Sequence, residues 1–417
     1  MEGNTNRPGR VRGAQSLIAT LLLAGIAFAA PAAALSAPAS RETNPALPVT
    51  RTVWMDGLDN PWDLAFGPDG ALFFTERCRG LSVRRADGTL RRLFGTTGAA
   101  LAAPDLFCQG QSGMNGVAVD PGFAENRFIY VYMASNLDGE KTNRVVRLRV
   151  APDNAGVGDR RDIVADIPFK RSANFWGGAG VHSGGRLRFG PDGFLYVTTG
   201  DNHDGPLPQD LARLGGKVLR IDRDGRAAPG NRPLPGGDPR LFTYGHRNVQ
   251  GIAFRPGSGQ PFACEHGPGH SDEVTPLSAG GNGGWDPRPE TGVACIANYC
   301  GYTSNKRDGT RTPMTDLVKF PQALRPSWSN DGRSEGMSPC AFLAGPRWKG
   351  WEGRLAVGFL RGARIVVLEL DASGRTVSAQ TMAGLPEERI RALVPGPDGA
   401  LYVSTDEGQI WRLAPAP

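Results

Sequence analysis

Lysine is scarce in this 417-residue chain: six of the 47 basic residues are lysine and the rest are arginine. After residue 35 the chain also lacks long apolar runs and long segments in which apolar residues recur every three or four positions. These absences argue against a membrane span after residue 35 and against long amphipathic helices. No basic run carries interleaved aromatic residues, and the net charge is a modest +6, so the composition excludes the usual signature of nucleic-acid binding.

The chain has no Cys-x-x-Cys pair, which leaves little support for a zinc or redox centre built on cysteine. Its six cysteines allow many disulfide pairings, so connectivity does not follow from the sequence alone. The positions of the cysteines in the sequence favour two disulfide pairs. Cys295 and Cys300 bracket a four-residue loop, and Cys78 and Cys108 both lie in the first of the sequence repeats described below.

The N-terminal region has the pattern of an export signal. Arg7, Arg10 and Arg12 precede the short apolar run 17–30, and the alanines at 32–34 suit a cleavage site. The absence of an Arg-Arg pair in this region favours the general secretory (Sec) route over the twin-Arg route. We predict a signal peptide at 1–34, a flexible lead-in at 35–48, and a periplasmic or secreted protein without stable membrane insertion; an uncleaved anchor is the alternative.

One phrase occurs three times: FGPDGALFFTE at 66–76, FGPDGFLYVTT at 189–199 and PGPDGALYVST at 395–405. Each copy is a Pro-Asp-Gly turn followed by a short apolar, aromatic and β-branched run, which is typical of a turn entering a buried strand. More divergent copies lie at 119–133, 254–265 and 350–359. The six units predict an all-β fold, a six-bladed β-propeller with four-stranded antiparallel blades around a central channel.

We place the propeller domain at residues 49–415, a stretch that no Ser- or Pro-rich linker interrupts. Val49–Trp54 near its start has strand character, and Gln409–Leu413 lies near its end. We expect these two segments to meet in one blade and close the ring. The channel that the blades surround is the expected place for a ligand site.

All five histidines lie between residues 182 and 270. His182 stands on a Gly-rich segment that leads into the second clear repeat, and loops at the ends of propeller blades commonly carry function. This position makes His182 a candidate for contact with a ligand. A structural histidine bonded to a backbone carbonyl is the alternative.

Two further segments carry groups that suit an oxygen-rich ligand or a cation. Arg247 and Asn248 are adjacent and can both donate hydrogen bonds to carbonyl or carboxylate oxygens; a turn with a surface Arg is the alternative. Downstream, Gly267 and Pro268 form a tight turn with exposed carbonyls, and the acidic pair 272–273 follows. Carbonyls and acids suit a hard cation such as Ca²⁺, and an ordinary polar turn is the alternative.

Arginines cluster late in the chain, at Arg361, Arg389 and Arg391. Strand alternation places Arg389 and Arg391 on the same face, where they repel each other unless an anion lies nearby. This spacing favours a bound polyanion, with solvated surface arginines as the alternative.

Several motifs, taken in order from about residue 50 to 413, resemble the glucose/sorbosone dehydrogenase family of soluble quinoprotein sugar dehydrogenases. They are GLDNPWDLAFGPDGALFFTER, GQSGMNGVAVDPGFAENRFIYVYM, HSGGRLRFGPDGFLYVTTGD, LGGKVLRID, YGHRNVQGIAF, EHGPGHSDEV with GGNGGW, and RIRALVPGPDGALYVSTD. Each motif alone is weak, but their order and combination are highly specific.

The resemblance implies a six-bladed propeller that binds pyrroloquinoline quinone (PQQ) and Ca²⁺ at the top of the channel. It implies roles for nine residues: His182 as catalytic base, Gln111 as a quinone ligand, Arg247 and Asn248 as contacts of the quinone carbonyls, Gly267 and Pro268 as carbonyl ligands of Ca²⁺, and Arg361, Arg389 and Arg391 as partners of the cofactor carboxylates. His182 is the one histidine that combines a Gly-rich approach loop with the family's catalytic motif.

The chain also departs from the family pattern. Arg361 stands where some members have Lys, His266 where some have Gln, and Gly283 where many have Tyr. The change at Gly283 weakens the expectation of a second Ca²⁺ site near that loop. Residues 286–340 match the family poorly, so the resemblance implies nothing about them.

These features predict a dehydrogenase that oxidises the C1 hydroxyl of aldoses, or a sugar aldehyde such as sorbosone, with PQQ, Ca²⁺ and an external electron acceptor. A neutral histidine suits the base role, and Ca²⁺ with Arg247 suits a developing negative charge. Two alternatives stay open. A Ca²⁺-dependent propeller lactonase or other hydrolase needs a ring of inward acids and amides around the metal, and a non-catalytic binding propeller does not need His182, Arg247 and the late arginines together.

Overall fold

The computed structural model describes residues 46–170 and 177–416. The predicted signal peptide at 1–34 lies outside these residues, as does most of the predicted lead-in. Across the two described ranges, no helix is both long and apolar enough to cross a membrane.

Strands dominate the described chain. In order they are β1 (Leu47–Met55), β2 (Pro61–Phe66), β3 (Leu72–Glu76), β4 (Gly80–Arg84), β5 (Leu90–Gly95), β6 (Leu101–Ala102), β7 (Met114–Val119), β8 (Phe128–Ser135), β9 (Thr142–Val150), β10 (Val157–Ile167), β11 (Leu187–Phe189), β12 (Leu195–Thr198), β13 (Val218–Ile221), β14 (Leu241–Tyr244), β15 (Val249–Phe254), β16 (Pro261–Glu265), β17 (Glu273–Pro276), β18 (Gly281–Asn282), β19 (Trp328–Ser329), β20 (Met337–Phe342), β21 (Leu355–Phe359), β22 (Ile365–Leu370), β23 (Thr376–Ala383), β24 (Ile390–Pro395), β25 (Leu401–Thr405) and β26 (Ile410–Pro415). The helical segments are α1 (Phe123–Asn126) and short 3₁₀ turns at Leu137–Gly139, Leu207–Gln209, Ile296–Asn298 and Pro346–Trp351.

The strands form six blades, each with four antiparallel strands: β2–β5, β7–β10, β11–β14, β15–β17 with β19, β20–β23, and β24–β26 with β1. The short β6 and β18 add in parallel to β5 and β14. Numbered in this order, blades one to six confirm the predicted six-bladed propeller.

The repeated Pro-Asp-Gly turn joins the first and second strands of blades one, three and six. In the first copy, the Asp69 carboxylate accepts a hydrogen bond from the backbone N–H of Ala71. Gly70 takes φ +76°, a left-handed conformation that favours glycine. The other two copies repeat this Asp contact, so the sequence repeat is a repeat of turn chemistry.

The chain ends close the ring as predicted. β1 pairs antiparallel with β26, with Val49 opposite Pro415 and Val53 opposite Trp411. β1 begins at Leu47, two residues before the predicted domain boundary, because Leu47 and Pro48 also pair with the end of β23.

The hydrophobic core lies between the blades. Six clusters of buried side chains each draw on two neighbouring blades, one cluster for every junction of the ring. Burial of apolar area at each junction is the main force that holds the blades together.

Three disulfides link all six cysteines: Cys78–Cys108, Cys295–Cys300 and Cys264–Cys340. The first two are the pairs that sequence position favours. The third joins β16 of blade four to β20 of blade five. Three disulfides are typical of proteins that fold in an oxidising compartment.

Candidate active site

The predicted site residues meet at one face of the propeller. Gln111, His182, Asn248 and Arg389 each lie just before the innermost strand of a blade, so the blade order brings them to the same end of the channel. Together with Arg361 and Arg391, they line a cavity of about 410 Å³. This volume is within the range of roughly 300–1,000 Å³ that is usual for small-molecule sites.

His182 is buried at the cavity wall and takes φ +55°, a left-handed conformation that is uncommon for residues with a Cβ and is often found at functional sites. Its carbonyl lies against Gly200, where an added Cβ would come within 2.1 Å of that oxygen. Glycine at position 200 therefore lets the His182 loop pack on the end of β12.

Asp201 orients the His182 ring. Its Oδ1 lies 2.6 Å from His182 Nδ1, and its Oδ2 accepts hydrogen bonds from Trp285 Nε1 at 2.8 Å and Tyr299 Oη at 2.9 Å. The carboxylate is wholly buried. It accordingly fixes the Nδ1–H tautomer of His182, which leaves Nε2 with the lone pair that a general base needs.

Burial lowers the pKa of His182 well below its usual value, and the positive charge of Arg247 acts in the same direction. His182 is therefore neutral at physiological pH. Asp201 stabilises the imidazolium that forms when a proton reaches Nε2.

Two residues for which the sequence predicted no role, His203 and Tyr302, lie next to His182 Nε2, and a third, Lys170, contacts His203. His203 Nε2 lies 3.1 Å from His182 Nε2, and Tyr302 Oη lies 3.3 Å from it. Lys170 Nζ in turn lies 2.8 Å from His203 Nδ1. Tyr302 belongs to the segment 286–340 that matches the family poorly, and it follows the Cys295–Cys300 loop directly. Of these three residues, only His203 had a local signal in the sequence, because it lies two residues after Asp201.

Arg247 lies directly behind the cavity wall and is buried. Its Nη1 donates to the carbonyl of His266 at 2.6 Å, and its Nη2 donates to Tyr302 Oη at 2.9 Å. Glu265 anchors the turn by accepting from the backbone N–H groups of Arg247 and Asn248. The Arg247 Nε has no partner among the described residues.

The sequence argument from Arg389 and Arg391 needs correction. The two side chains do reach the same cavity, but a protein anion lies between them: Asp406 accepts from Arg389 Nε at 2.8 Å and from Arg391 Nε at 2.7 Å. Their proximity therefore does not require a bound polyanion. Sequence spacing missed Asp406 because it lies beyond the hairpin, after β25.

Two other arginines of the cavity wall, Arg77 and Arg361, have no carboxylate partner in the described part of the chain. Arg77 Nη1 donates to the carbonyls of Gly110 at 2.5 Å and Ser112 at 3.1 Å. Arg361 Nη1 makes one long bond, 3.3 Å, to the carbonyl of Ser334. No acidic side chain lines the cavity within the described ranges.

Gly267 and Pro268 are buried and follow His266, which lines the cavity, but they are not themselves part of its wall. The acids after them do not complete a cation site. Asp272 is occupied by internal donors, among them Gly267 N at 2.8 Å and Ser334 Oγ at 2.7 Å. Nor do the described residues contain a cluster of three or more His, Cys, Asp or Glu side chains able to hold a metal.

Fold and site thus define a class: a six-bladed propeller with an arginine-rich cavity and a buried histidine–aspartate pair at the end of its channel. The sequence profile of the Glucose / Sorbosone dehydrogenase family matches residues 58–412. The aldose sugar dehydrogenase YliI of Escherichia coli K12 is 31% identical over 374 residues, which cover 87% of this chain and 92% of that protein.

Two solved structures of aldose sugar dehydrogenases are similar to this chain along most of its length. The soluble aldose sugar dehydrogenase of Escherichia coli in its apo form aligns with a TM-score of 0.73 and 29% identity over 88% of this chain and 100% of that one. The PQQ-bound aldose sugar dehydrogenase of Streptomyces coelicolor aligns with a TM-score of 0.67 and 26% identity over 89% of this chain and 99% of that one. The chain belongs to the glucose/sorbosone dehydrogenase family, which confirms the family and the enzyme class predicted from the motifs.

Proposed function

We propose that this protein is a PQQ-dependent dehydrogenase that oxidises the C1 hydroxyl of an aldose, or a sugar aldehyde, and passes the electrons to an external acceptor. The observation that carries the proposal is the charge of the cavity. Arg77, Arg361, Arg389 and Arg391 line it, and among the described residues Asp406 is the one carboxylate bonded to any of their guanidinium groups. A cavity with this excess of positive charge suits a ligand with several carboxylates.

Buried polar atoms without partners support the fit of a polar, planar ligand. His266 Nδ1, Asn115 Oδ1 and Arg247 Nε are buried and unpartnered within the described ranges, and His266 and Asn115 line the cavity. Such atoms are costly unless something bonds to them. We assign the cofactor carboxylates to Arg361, Arg389 and Arg391, and its carbonyl end to Gln111, Arg247 and Asn248.

When bound, PQQ supplies the two-electron acceptor for the hydride that leaves the substrate carbon. The chain's own residues supply the rest. His182 Nε2 takes the hydroxyl proton, and Asp201 holds the imidazolium that results. Arg247, charged and buried, stabilises negative charge that develops in the cavity.

We also assign Ca²⁺ to the turn at Gly267 and Pro268. In the described part of the chain, no backbone N–H donates to either carbonyl, so neither oxygen has a backbone hydrogen-bond partner. Because two carbonyls are too few for a calcium ion on their own, we infer that the cofactor and water complete its ligands. Within the described ranges no acidic side chain lines the cavity, which argues against the lactonase alternative, since that site needs a ring of acids and amides around the metal.

Reconstitution tests the function. Purified protein loaded with PQQ and Ca²⁺ should reduce a redox dye with at least one member of a panel of aldoses, oligosaccharides and sugar aldehydes, and a chelator should remove the activity. The matched control is protein with Ca²⁺ alone. Lactone hydrolysis by that control, without any dye reduction by the loaded protein, would instead favour the hydrolase reading.

Arg361→Ala should weaken PQQ binding by roughly tenfold or more, because a charge-assisted hydrogen bond contributes about 1.5–3 kcal/mol. Arg391→Ala should do the same. Arg389→Ala should cost less, because the Arg389 side chain is 47% exposed whereas that of Arg391 is 14% exposed. Fluorescence titration with PQQ measures all three. Arg51→Ala on the outer strand β1 is the control, and an Arg361→Ala titration that matches this control would refute the assignment.

We further propose that the protein is exported by a Sec-type signal peptide and acts in the periplasm or outside the cell. The three disulfides support an oxidising compartment. N-terminal sequencing of the mature protein tests the predicted cleavage near residue 34.

A further inference from the structure

The Asp272 carboxylate is wholly buried, and it collects hydrogen bonds from two neighbouring blades. Its donors are the backbone N–H groups of Gly267 at 2.8 Å, Glu335 at 2.7 Å and Gly336 at 3.1 Å, together with Ser334 Oγ at 2.7 Å and Asn330 Nδ2 at 3.1 Å. Gly267 follows β16 of blade four, whereas residues 334–336 lead into β20 of blade five. A single buried anion therefore joins the two blades at the cavity end of the channel.

The contacts of Asp272 are not duplicated by the backbone. Backbone hydrogen bonds also join the two loops, but they run between residues 269–271 and residues 332–334. Asp272 bonds instead to Gly267, in the turn that we assign to Ca²⁺, and to Gly336, which lines the cavity. The side chain thus connects the parts of both loops that lie nearest to the assigned cofactor contacts.

The blade-five segment that bonds to Asp272 also holds Arg361. The carbonyl of Glu335 accepts from the backbone N–H of Arg361 at 2.7 Å, and the carbonyl of Gly336 accepts from that of Leu360 at 2.9 Å. A continuous set of hydrogen bonds consequently runs from the glycine–proline turn through Asp272 to Arg361.

We propose, on the basis of the proposed function, that Asp272 is a positioning residue that sets the spacing between the Gly267–Pro268 turn and Arg361. Both elements are assigned to one ligand: the turn to the Ca²⁺ that contacts the cofactor, and Arg361 to a cofactor carboxylate. A planar, rigid cofactor can use both contacts at full strength only when their spacing fits it. Asp272 acts without touching the cofactor, because it is wholly buried and does not line the cavity.

Hydrogen exchange of the protein without added cofactor tests the connection itself. Asp272→Asn keeps the size of the side chain but turns an NH₂ group towards backbone donors. Exchange at Gly267, Gly336 and Arg361 should therefore accelerate roughly tenfold or more. Unchanged exchange at Arg361 in this variant would overturn the proposal.

Asp120→Asn is the matched control. Asp120 is likewise buried and accepts a backbone N–H at 2.8 Å, but it follows the innermost strand of blade two and does not line the cavity. This variant should leave exchange at the three blade-four and blade-five positions unchanged. Equal acceleration there in both variants would show a general loss of stability and would refute the positioning role.

Fluorescence titration with PQQ in the presence of Ca²⁺ gives the second readout. Asp272→Asn should weaken PQQ binding roughly tenfold or more, and Asp120→Asn should not change it. Because Asp272 acts partly through Arg361, its effect should shrink in an Arg361→Ala background and persist in full in an Arg391→Ala background. The same loss in both backgrounds would contradict action through Arg361.

A milder variant covers the case in which Asp272→Asn does not fold. Ser334→Ala removes one donor and should give changes in the same direction, roughly threefold in exchange and in PQQ affinity. The two proposals also fail separately. If the wild-type protein binds no PQQ, the proposed function fails, while hydrogen exchange still decides whether Asp272 holds Arg361. If the wild type binds PQQ and both Asp272→Asn and Ser334→Ala bind it equally well, the positioning role is refuted.

Discussion

Replacement of His182 by alanine should lower turnover by roughly 10²–10⁴-fold, the usual contribution of general base catalysis. The variant should still bind PQQ, because the residues that we assign to the cofactor are Gln111, Asn248 and the arginines. Two measurements separate these properties. A titration with PQQ reports cofactor binding, and the rate of substrate-dependent dye reduction reports turnover.

The pH profile of the wild type provides a further check on His182. Only the neutral imidazole accepts a proton, and burial lowers the pKa of His182. The loss of activity in acid that belongs to this group should therefore lie below pH 6.5, and it should be absent from the residual activity of His182→Ala. Near-normal turnover in the variant would remove His182 from the mechanism, and a failure to bind PQQ would make it a cofactor ligand.

Asp63→Ala should lower the free energy of unfolding by about 3–5 kcal/mol, because it leaves a buried arginine without its counter-charge. Asp63 is fully buried and pairs with Arg186 at 2.5 Å and Arg188 at 2.8 Å. Burial alone would raise the pKa of Asp63, but the two arginines hold it below its usual range. Arg186 is itself fully buried and donates to the carbonyls of Gln250 and Arg391.

This ion pair therefore joins the innermost strands of blades one, four and six to the segment that enters blade three, directly behind the cavity wall. Urea unfolding measures the effect. Asp166→Ala is the matched control, because its ion pair with Arg240 has a carboxylate that is 60% exposed and should be worth about 1 kcal/mol or less. Equal losses in the two variants would show that the buried pair has no special role.

The six-bladed ring could be predicted from the sequence because the repeated turn-and-strand motif that indicates it is local. Each Pro-Asp-Gly turn and the strand after it lie within eleven residues, and the same hydrogen bonds recur in the three clear copies. Seven of the nine predicted site residues also converge, six on the cavity wall and Arg247 behind it. All of them except Arg361, which follows β21, lie in motifs next to the innermost strands, where the blade order determines which end of the channel they reach.

The missed residues depend on contacts between distant segments. Asp406 reaches Arg389 and Arg391 from the far end of a hairpin, and Tyr302 reaches His182 from a segment 120 positions away. No local spacing marks such pairs. The partners of Asp272 were missed for the same reason: two of the donors that bond to its carboxylate, Ser334 and Glu335, come from more than sixty residues downstream.

The pairing of β1 with β26 has a consequence for how the chain folds. β1 is the first described strand and β26 the last, so ring closure joins segments of very high sequence separation. Contacts of this kind form slowly, and a chain awaiting them exposes unpaired strand edges. Until β1 docks, the open edge of β26 can accept the same strand from another copy, which makes strand exchange between molecules the characteristic misassembly of this architecture.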